Sequence, residues 1–77
     1  MKTRYKYIHF ECVPTPPTRK TAIFYCHNIN IGAILGVVRW HSSWRQYCFM
    51  PKDFTVFSRS CLADVQHFIQ QLMDERE

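Results

Sequence analysis

Hydrophobic and polar residues alternate through most of the first three quarters of the chain, which is the pattern of half-buried β-strands. In residues 4–13, for example, Ile8 and Phe10 are separated by a polar position. Proline ends two of the alternating segments, at Pro14 and Pro51, because it cannot donate a hydrogen bond to a neighbouring strand. The alternation predicts strands at about residues 4–13, 21–27, 33–40, 44–50 and 54–57.

The hydrophobic period changes near residue 60. Apolar residues then recur at spacings of three and four, as on the buried face of an amphipathic helix. This pattern predicts a helix over about residues 61–75. Ser60 is its expected N-cap, because a serine hydroxyl can accept a hydrogen bond from a free amide of the first turn.

Together these elements predict an α+β fold in a single domain, residues 1–77. A small antiparallel sheet of four to five strands would carry one C-terminal helix packed on one face. A single helix covers only one face of a sheet, so the other face is left for solvent, a second copy or a ligand.

Two tryptophans, two arginines and a tyrosine are concentrated in residues 39–47, RWHSSWRQY. A three-residue turn in the middle of this segment would place Trp40 opposite Trp44 and Arg39 opposite Arg45. Cross-strand aromatic pairs stabilise a hairpin, whereas directly opposed like charges do not. The arginine pair therefore makes sense if an anionic or aromatic partner lies over it, since a guanidinium both binds anions and stacks on rings.

A second basic and aromatic segment, RYKY, lies at residues 4–7. Rings and cations from both segments are therefore predicted to form a binding surface. The predicted binding residues are Arg39, Trp40, Trp44, Arg45, Tyr47, Tyr5 and Tyr7. The alternative is a structural role, in which the rings pack in the core or at the sheet edge and Arg45 pairs with Asp53 or Glu11.

Charge divides unevenly along the chain, whose formal net charge is +4. Residues 1–60 contain nine Lys and Arg against two acidic residues, whereas residues 61–77 contain one against four. A basic surface attracts nucleic acid or an acidic protein surface through its field, without selecting between them. Solvated charges that keep a small protein in solution are the alternative interpretation.

The chain contains four cysteines with no closely spaced pair, so no metal site is expected. Cys12 and Cys26 continue apolar strand patterns and are expected to be buried thiols. No cofactor motif is found. No segment is long and apolar enough to cross a membrane, and the N-terminus lacks the apolar core of a signal peptide, so a cytoplasmic protein is expected.

Catalysis is not predicted. His9 or His41 beside an arginine could act as a general acid or base, but no motif fixes such a geometry. The chain also lacks a glycine-rich phosphate loop and a zinc-protease motif. The expected protein is a binding module and not an enzyme.

Residues 35–69 contain three consecutive patterns: LGxVxWxxxWRQYxFxP from Leu35 to Pro51, then TVF at 55–57, then CLxDVxxFI at 61–69. This segment resembles a family of short uncharacterised proteins from phages, prophages and related bacterial and archaeal elements. The resemblance implies a phage-type origin and transfers no activity or binding residue to this chain.

Small phage-type proteins without catalytic motifs are often inhibitors of host machinery, anti-CRISPR and other anti-defence proteins among them. By this analogy we expect an inhibitor or modulator of a host protein or nucleoprotein complex, acting through a basic and aromatic sheet surface. The second hypothesis is a single-stranded nucleic-acid-binding protein, because such proteins stack bases on rings within a basic groove. A homodimer is a further expectation.

Overall fold

The computed structural model describes residues 1–76. Within them the chain forms four strands and one helix: β1 (Ile8–Val13), β2 (Ile23–Asn28), β3 (Ile34–His41), β4 (Gln46–Pro51) and α1 (Arg59–Glu75). The strands form one antiparallel sheet in the order β1-β2-β3-β4. The predicted α+β fold, an antiparallel sheet with one C-terminal helix, is confirmed.

Two parts of the strand prediction are wrong: the start of the first strand and the existence of a fifth. Residues 4–7 are not part of β1, because the Tyr5 N–H donates to the Ile8 carbonyl and closes a tight turn there. Residues 54–57 do not form a fifth strand. Phe54 has a φ of 61° in the left-handed region, so the chain turns there instead of continuing extended.

The helix begins two residues earlier than predicted. Ser58, and not Ser60, is its N-cap, and the Ser58 hydroxyl accepts a hydrogen bond from the Cys61 N–H at 3.2 Å. Ser58 fits this role because its backbone is extended, whereas the residue after it is already helical. The buried residues Val65, Phe68 and Leu72 then line the face of α1 that meets the sheet.

Phe68 lies at the centre of the core. Its ring stacks on that of Phe10, with centroids 4.0 Å apart, and meets the Phe24 ring edge-on at 5.0 Å. Cys26 and Val38, fully buried on β2 and β3, share this face of the sheet. The prediction of a buried thiol is confirmed for Cys26 and wrong for Cys12, which is exposed near the end of the edge strand β1.

Both edges of the sheet are partly occupied. Residues 3–5 fold back along β1, and Phe10 donates its N–H to the Thr3 carbonyl at 2.8 Å. On β4, the Tyr47 N–H donates to Met73 Sδ on the helix at 3.4 Å, and Pro51 has no N–H to offer. Partly occupied edges are less open to pairing with another strand.

The face of the sheet opposite the helix, here called the open face, has no covering element among residues 1–76. Glu11, Tyr25, Val37 and Met50 form one row of cross-strand partners there. Arg39 also lies on this face, because it follows Val37 by two positions along β3.

Candidate binding surface

The β3–β4 hairpin differs in register from the prediction. Trp40 is paired with Tyr47 and Arg39 with Cys48, so the expected Trp40–Trp44 and Arg39–Arg45 pairs are wrong. The loop has four residues, 42–45, and not three, and Arg45 closes it with a φ of 54°. The partner of each β3 residue is therefore displaced by three positions, an odd number that reverses which face each β4 side chain occupies.

We call residues 41–45 the hairpin tip. His41 organises it: its carbonyl accepts from the Arg45 N–H at 2.8 Å, and its Nδ1 accepts from the Trp44 N–H at 3.3 Å. The Trp44 ring stacks on the His41 imidazole with centroids 4.7 Å apart, yet 66% of Trp44 is exposed. The tip thus holds an indole in a defined position while leaving most of it in water.

Trp40 and Tyr47 lie on the helix side of the sheet. Their rings meet edge-on at 5.4 Å. The Arg76 guanidinium, just beyond the end of α1, lies 3.8 Å from the centre of the Trp40 ring in a cation–π contact. The structure therefore brings these two predicted binding residues to the end of the helix, away from Arg39 on the open face.

A cleft of about 410 Å³ lies beside this pair, between the end of α1 and the start of β2; we call it the helix-end cleft. Its apolar lining includes Phe24, Tyr47 and Leu72, which are 8%, 8% and 6% exposed. The charged side chains at the cleft are Lys20, Glu75 and Arg76. Tyr47 is the second residue after the hairpin loop, so the cleft and the hairpin tip share one end of the sheet.

The two N-terminal tyrosines are not part of this end of the sheet. Tyr5 is buried under the helix, where its hydroxyl lies 2.7 Å from His67 Nδ1 and accepts from Gln71 Nε2 at 3.2 Å. Burial, and secondarily the charge of Asp64, raises the pKa of the Tyr5 hydroxyl. Tyr7 is exposed. It lies near the β2–β3 turn, where its carbonyl accepts a hydrogen bond from the Ile29 N–H.

The lysines and arginines have no acidic partners within the part of the chain that the structure describes. Among residues 1–76, the only ion pair within 4.0 Å joins His27 to Glu11, at 2.9 Å. The alternative in which Arg45 pairs with Asp53 or Glu11 is therefore not formed. These cations remain available to an anionic partner.

The described part of the chain offers little for metal or thiol chemistry. No group of three His, Cys, Asp or Glu side chains there is arranged to hold a metal ion. Burial, with a smaller effect of the neighbouring Cys61, raises the pKa of the Cys26 thiol to about 12, which makes it a poor nucleophile at neutral pH. No helix within residues 1–76 has the length and apolar character needed to span a bilayer.

Apart from Tyr47, none of the cleft residues was among the predicted binding residues; those missed include Lys20, Phe24, Leu72 and Arg76. Phe24 and Leu72 have the periodicity of ordinary core positions, so nothing in the sequence distinguishes them. Arg76 lies 36 positions from Trp40, the ring it covers, and no local pattern signals that contact.

No protein-family model, curated protein or solved structure matches this chain. Its function must therefore be inferred from the geometry of the hairpin tip and the helix-end cleft.

Proposed function

We propose that this protein is a non-enzymatic binding module that docks its hairpin tip on an acidic surface of a host protein or nucleoprotein complex, and so inhibits or modulates it. The observation that carries the proposal is the exposed, oriented ring of Trp44 beside Arg45, a cation without an acidic partner among residues 1–76. Tryptophan and arginine are among the residue types most enriched at positions that dominate protein–protein binding energy.

The energy available from Trp44 is substantial. A tryptophan buries about 200–250 Å² in a complete contact, and 66% of this residue is open. At roughly 25 cal/mol per Å², covering it contributes at most about 3–4 kcal/mol, before the entropy cost of association is subtracted. Part of the ordering cost is met before binding, because the stack on His41 and the N–H bond to its Nδ1 already restrict the loop.

The nature of the partner follows from charge and from the phage resemblance. Unpaired arginines and lysines favour an acidic surface, and a phage-type origin favours a host complex as the target. This basic chain is unsuited to mimicking DNA, which requires a strongly acidic surface.

Single-stranded nucleic-acid binding is the second candidate. The Trp44–His41 stack beside Arg45 favours it, because one base could stack on the exposed indole while the guanidinium binds its phosphate. Binding of a longer strand needs successive rings along a groove. Tyr5 and Tyr47 are buried and Trp40 is covered by Arg76, so we favour the protein partner.

The test has two arms. In the first, a photo-crosslinking residue replaces Ser43 at the tip, a captured host protein is purified, and its affinity is measured for the wild type and for Trp44→Ala. We expect Trp44→Ala to weaken binding at least about tenfold, the loss of one dominant contact. Arg45→Asn should also weaken it, since asparagine tolerates the left-handed backbone while removing the charge. Arg45→Lys and Ser42→Ala are the matched controls.

The second arm is fluorescence anisotropy of labelled single-stranded DNA, RNA and duplex at low and near-physiological salt, with the Arg39→Ala/Arg45→Ala variant alongside. Micromolar binding that weakens steeply with salt and in this variant would replace the proposal with the nucleic-acid candidate. A captured protein that binds Trp44→Ala as tightly as the wild type would refute the role of the tip.

A further inference from the structure

We infer that the helix-end cleft is a second contact site, which receives an apolar side chain of the partner, preferably an aromatic one, next to a carboxylate. The expected occupant is an acidic peptide segment of the partner protein. This inference rests on the proposed function, because the cleft and the hairpin tip share one end of the sheet.

The size and lining of the cleft suit one large apolar side chain. Its volume of about 410 Å³ lies within the usual range for small-ligand sites, about 300–1,000 Å³. The Phe24, Tyr47 and Leu72 side chains form its apolar wall and belong to the packed core. A wall fixed by the core needs little rearrangement to receive a ligand, which lowers the cost of binding.

Tyr47 adds a hydroxyl group to the residues that line the cleft. Tyr47 is only 8% exposed, and its hydroxyl has no hydrogen-bond partner among residues 1–76. No polar side-chain atom of those residues is both buried and unpaired, so this hydroxyl is not sealed in the core, and Tyr47 is one of the residues that line the cleft. An apolar pocket with one or two placed polar groups is the usual form of a specific binding site.

The cations at the cleft select for an acidic occupant. The cleft has two cationic side chains, Lys20 and Arg76, and one carboxylate, Glu75. Neither cation is within 4.0 Å of a carboxylate of residues 1–76. Arg76 is held by its stack on the Trp40 ring at 3.8 Å. Stacking uses the flat face of a guanidinium and leaves its in-plane N–H groups free to donate to a carboxylate.

The experiment is an NMR titration of the ¹⁵N-labelled full chain with an end-blocked glutamate–tryptophan–glutamate tripeptide. We expect the indole signal of Trp40 and the amides of Leu72 and Arg76 to shift, while Trp44 does not. Two control peptides replace the tryptophan by alanine or both glutamates by lysine, and both should bind at least about fivefold more weakly.

Substitutions of cleft residues provide a second test, in which the affinity for the tripeptide is measured for each variant. Arg76→Gln should weaken binding of the tripeptide about fivefold, the range of a solvent-exposed ion pair. Arg59→Gln, the same change at the opposite end of the helix, is the matched control and should not. Ala22 also lines the cleft. Ala22→Leu, which places a larger side chain there, should abolish the shifts while the rest of the spectrum remains that of the folded protein.

Three results would overturn the inference. The first is a set of shifts confined to the open face. The second is binding of the alanine or lysine peptide as tight as that of the glutamate–tryptophan–glutamate tripeptide. The third is an affinity for free indole-3-acetate equal to that for the tripeptide, which would indicate that the cleft binds a small aromatic acid and not a peptide. The titration does not use the hairpin tip. Trp44→Ala should therefore leave the affinity for the tripeptide unchanged. A wrong inference about the cleft can thus be distinguished from a wrong proposal about the hairpin tip.

Discussion

Gly36→Ala should destabilise the β3–β4 pair that carries the candidate binding surface. Gly36 lies on the helix side of β3, opposite Cys26 on one neighbouring strand and Pro51 on the other. A Cβ at this position would lie 2.6 Å from Cζ of the Phe49 ring and 2.7 Å from the Met50 carbonyl oxygen. Both separations are below 3.0 Å, and real Cβ atoms essentially never lie that close to another heavy atom.

The size of the stability loss depends on which of these two groups can move away from the added Cβ. The Phe49 ring could rotate away, but the Met50 carbonyl is backbone in the strand paired with β3. Overpacking of this kind lowers the free energy of unfolding by about 1–3 kcal/mol. Replacing glycine by alanine also reduces the entropy of the unfolded chain, which raises the free energy of unfolding by about 0.4–1 kcal/mol. We expect a net loss of about 1–2 kcal/mol, which for a chain of this size lowers Tm by roughly 5–15 °C.

The assay is urea and thermal unfolding followed by circular dichroism. Gly32→Asn is the control: no atom lies within 4 Å of where a Cβ would be, so the substitution adds no clash. Its only cost is the backbone strain of a φ of 70°, which asparagine tolerates better than most other residues. Gly36→Ala combined with Phe49→Leu should recover part of the loss, because the smaller side chain relieves the ring contact but not the carbonyl contact. Stability of Gly36→Ala within about 0.5 kcal/mol of wild type, or strict additivity with Phe49→Leu, would refute the reasoning.

Three further predictions concern stability, and a fourth concerns pH. Trp44→Ala should change the free energy of unfolding by no more than about 0.5 kcal/mol, because the ring is largely exposed; a larger loss in urea unfolding would contradict a purely functional role. Phe54→Gly should raise stability by up to about 1 kcal/mol in the same assay, since Phe54 is fully exposed and its φ of 61° strains any residue with a Cβ; a lower stability would show that its side chain makes a contact that matters. Tyr5→Phe should cost about 1 kcal/mol through loss of the hydrogen bond to His67, and an unchanged Tm would refute it. Burial raises the pKa of Cys26 from 9.0 to about 12, so above pH 9 the unfolded chain loses this proton while the folded protein retains it. The unfolded state then binds fewer protons, and stability falls as pH rises from 9 to 12. Cys26→Ala should flatten that part of the stability curve, and an equal slope in both proteins would show that Cys26 is not the group responsible.

The secondary structure followed closely from local pattern. The alternation around Phe24 and Cys26 and the three-and-four spacing of Val65, Phe68 and Leu72 predicted elements that the structure contains. Such patterns are reliable because burying an apolar side chain stabilises any arrangement that places it on the covered face. They failed at Phe54, where a left-handed backbone ends an apolar segment that resembles a strand.

The candidate binding surface was only partly predictable. The segment 39–47 was identified from its composition, and Trp44 and Arg45 do lie exposed at one end of the sheet. Tyr5 and Tyr47 were grouped with them by residue type, yet both are buried against the helix. Composition identifies residues suited to binding but does not show which of them the fold covers.

The sequence by itself determined the α+β class, four of the strands, the helix and the basic charge, because each depends on periodicity or composition. Tertiary structure decided the rest. The left-handed backbone of Arg45 set a four-residue loop and so the hairpin register, which no alternation pattern encodes. Packing of the helix end against the sheet then placed Arg76 over Trp40 and formed the cleft that Arg76 lines together with Lys20. Those contacts join residues far apart in the chain, and only the folded arrangement of strands and helix brings them together.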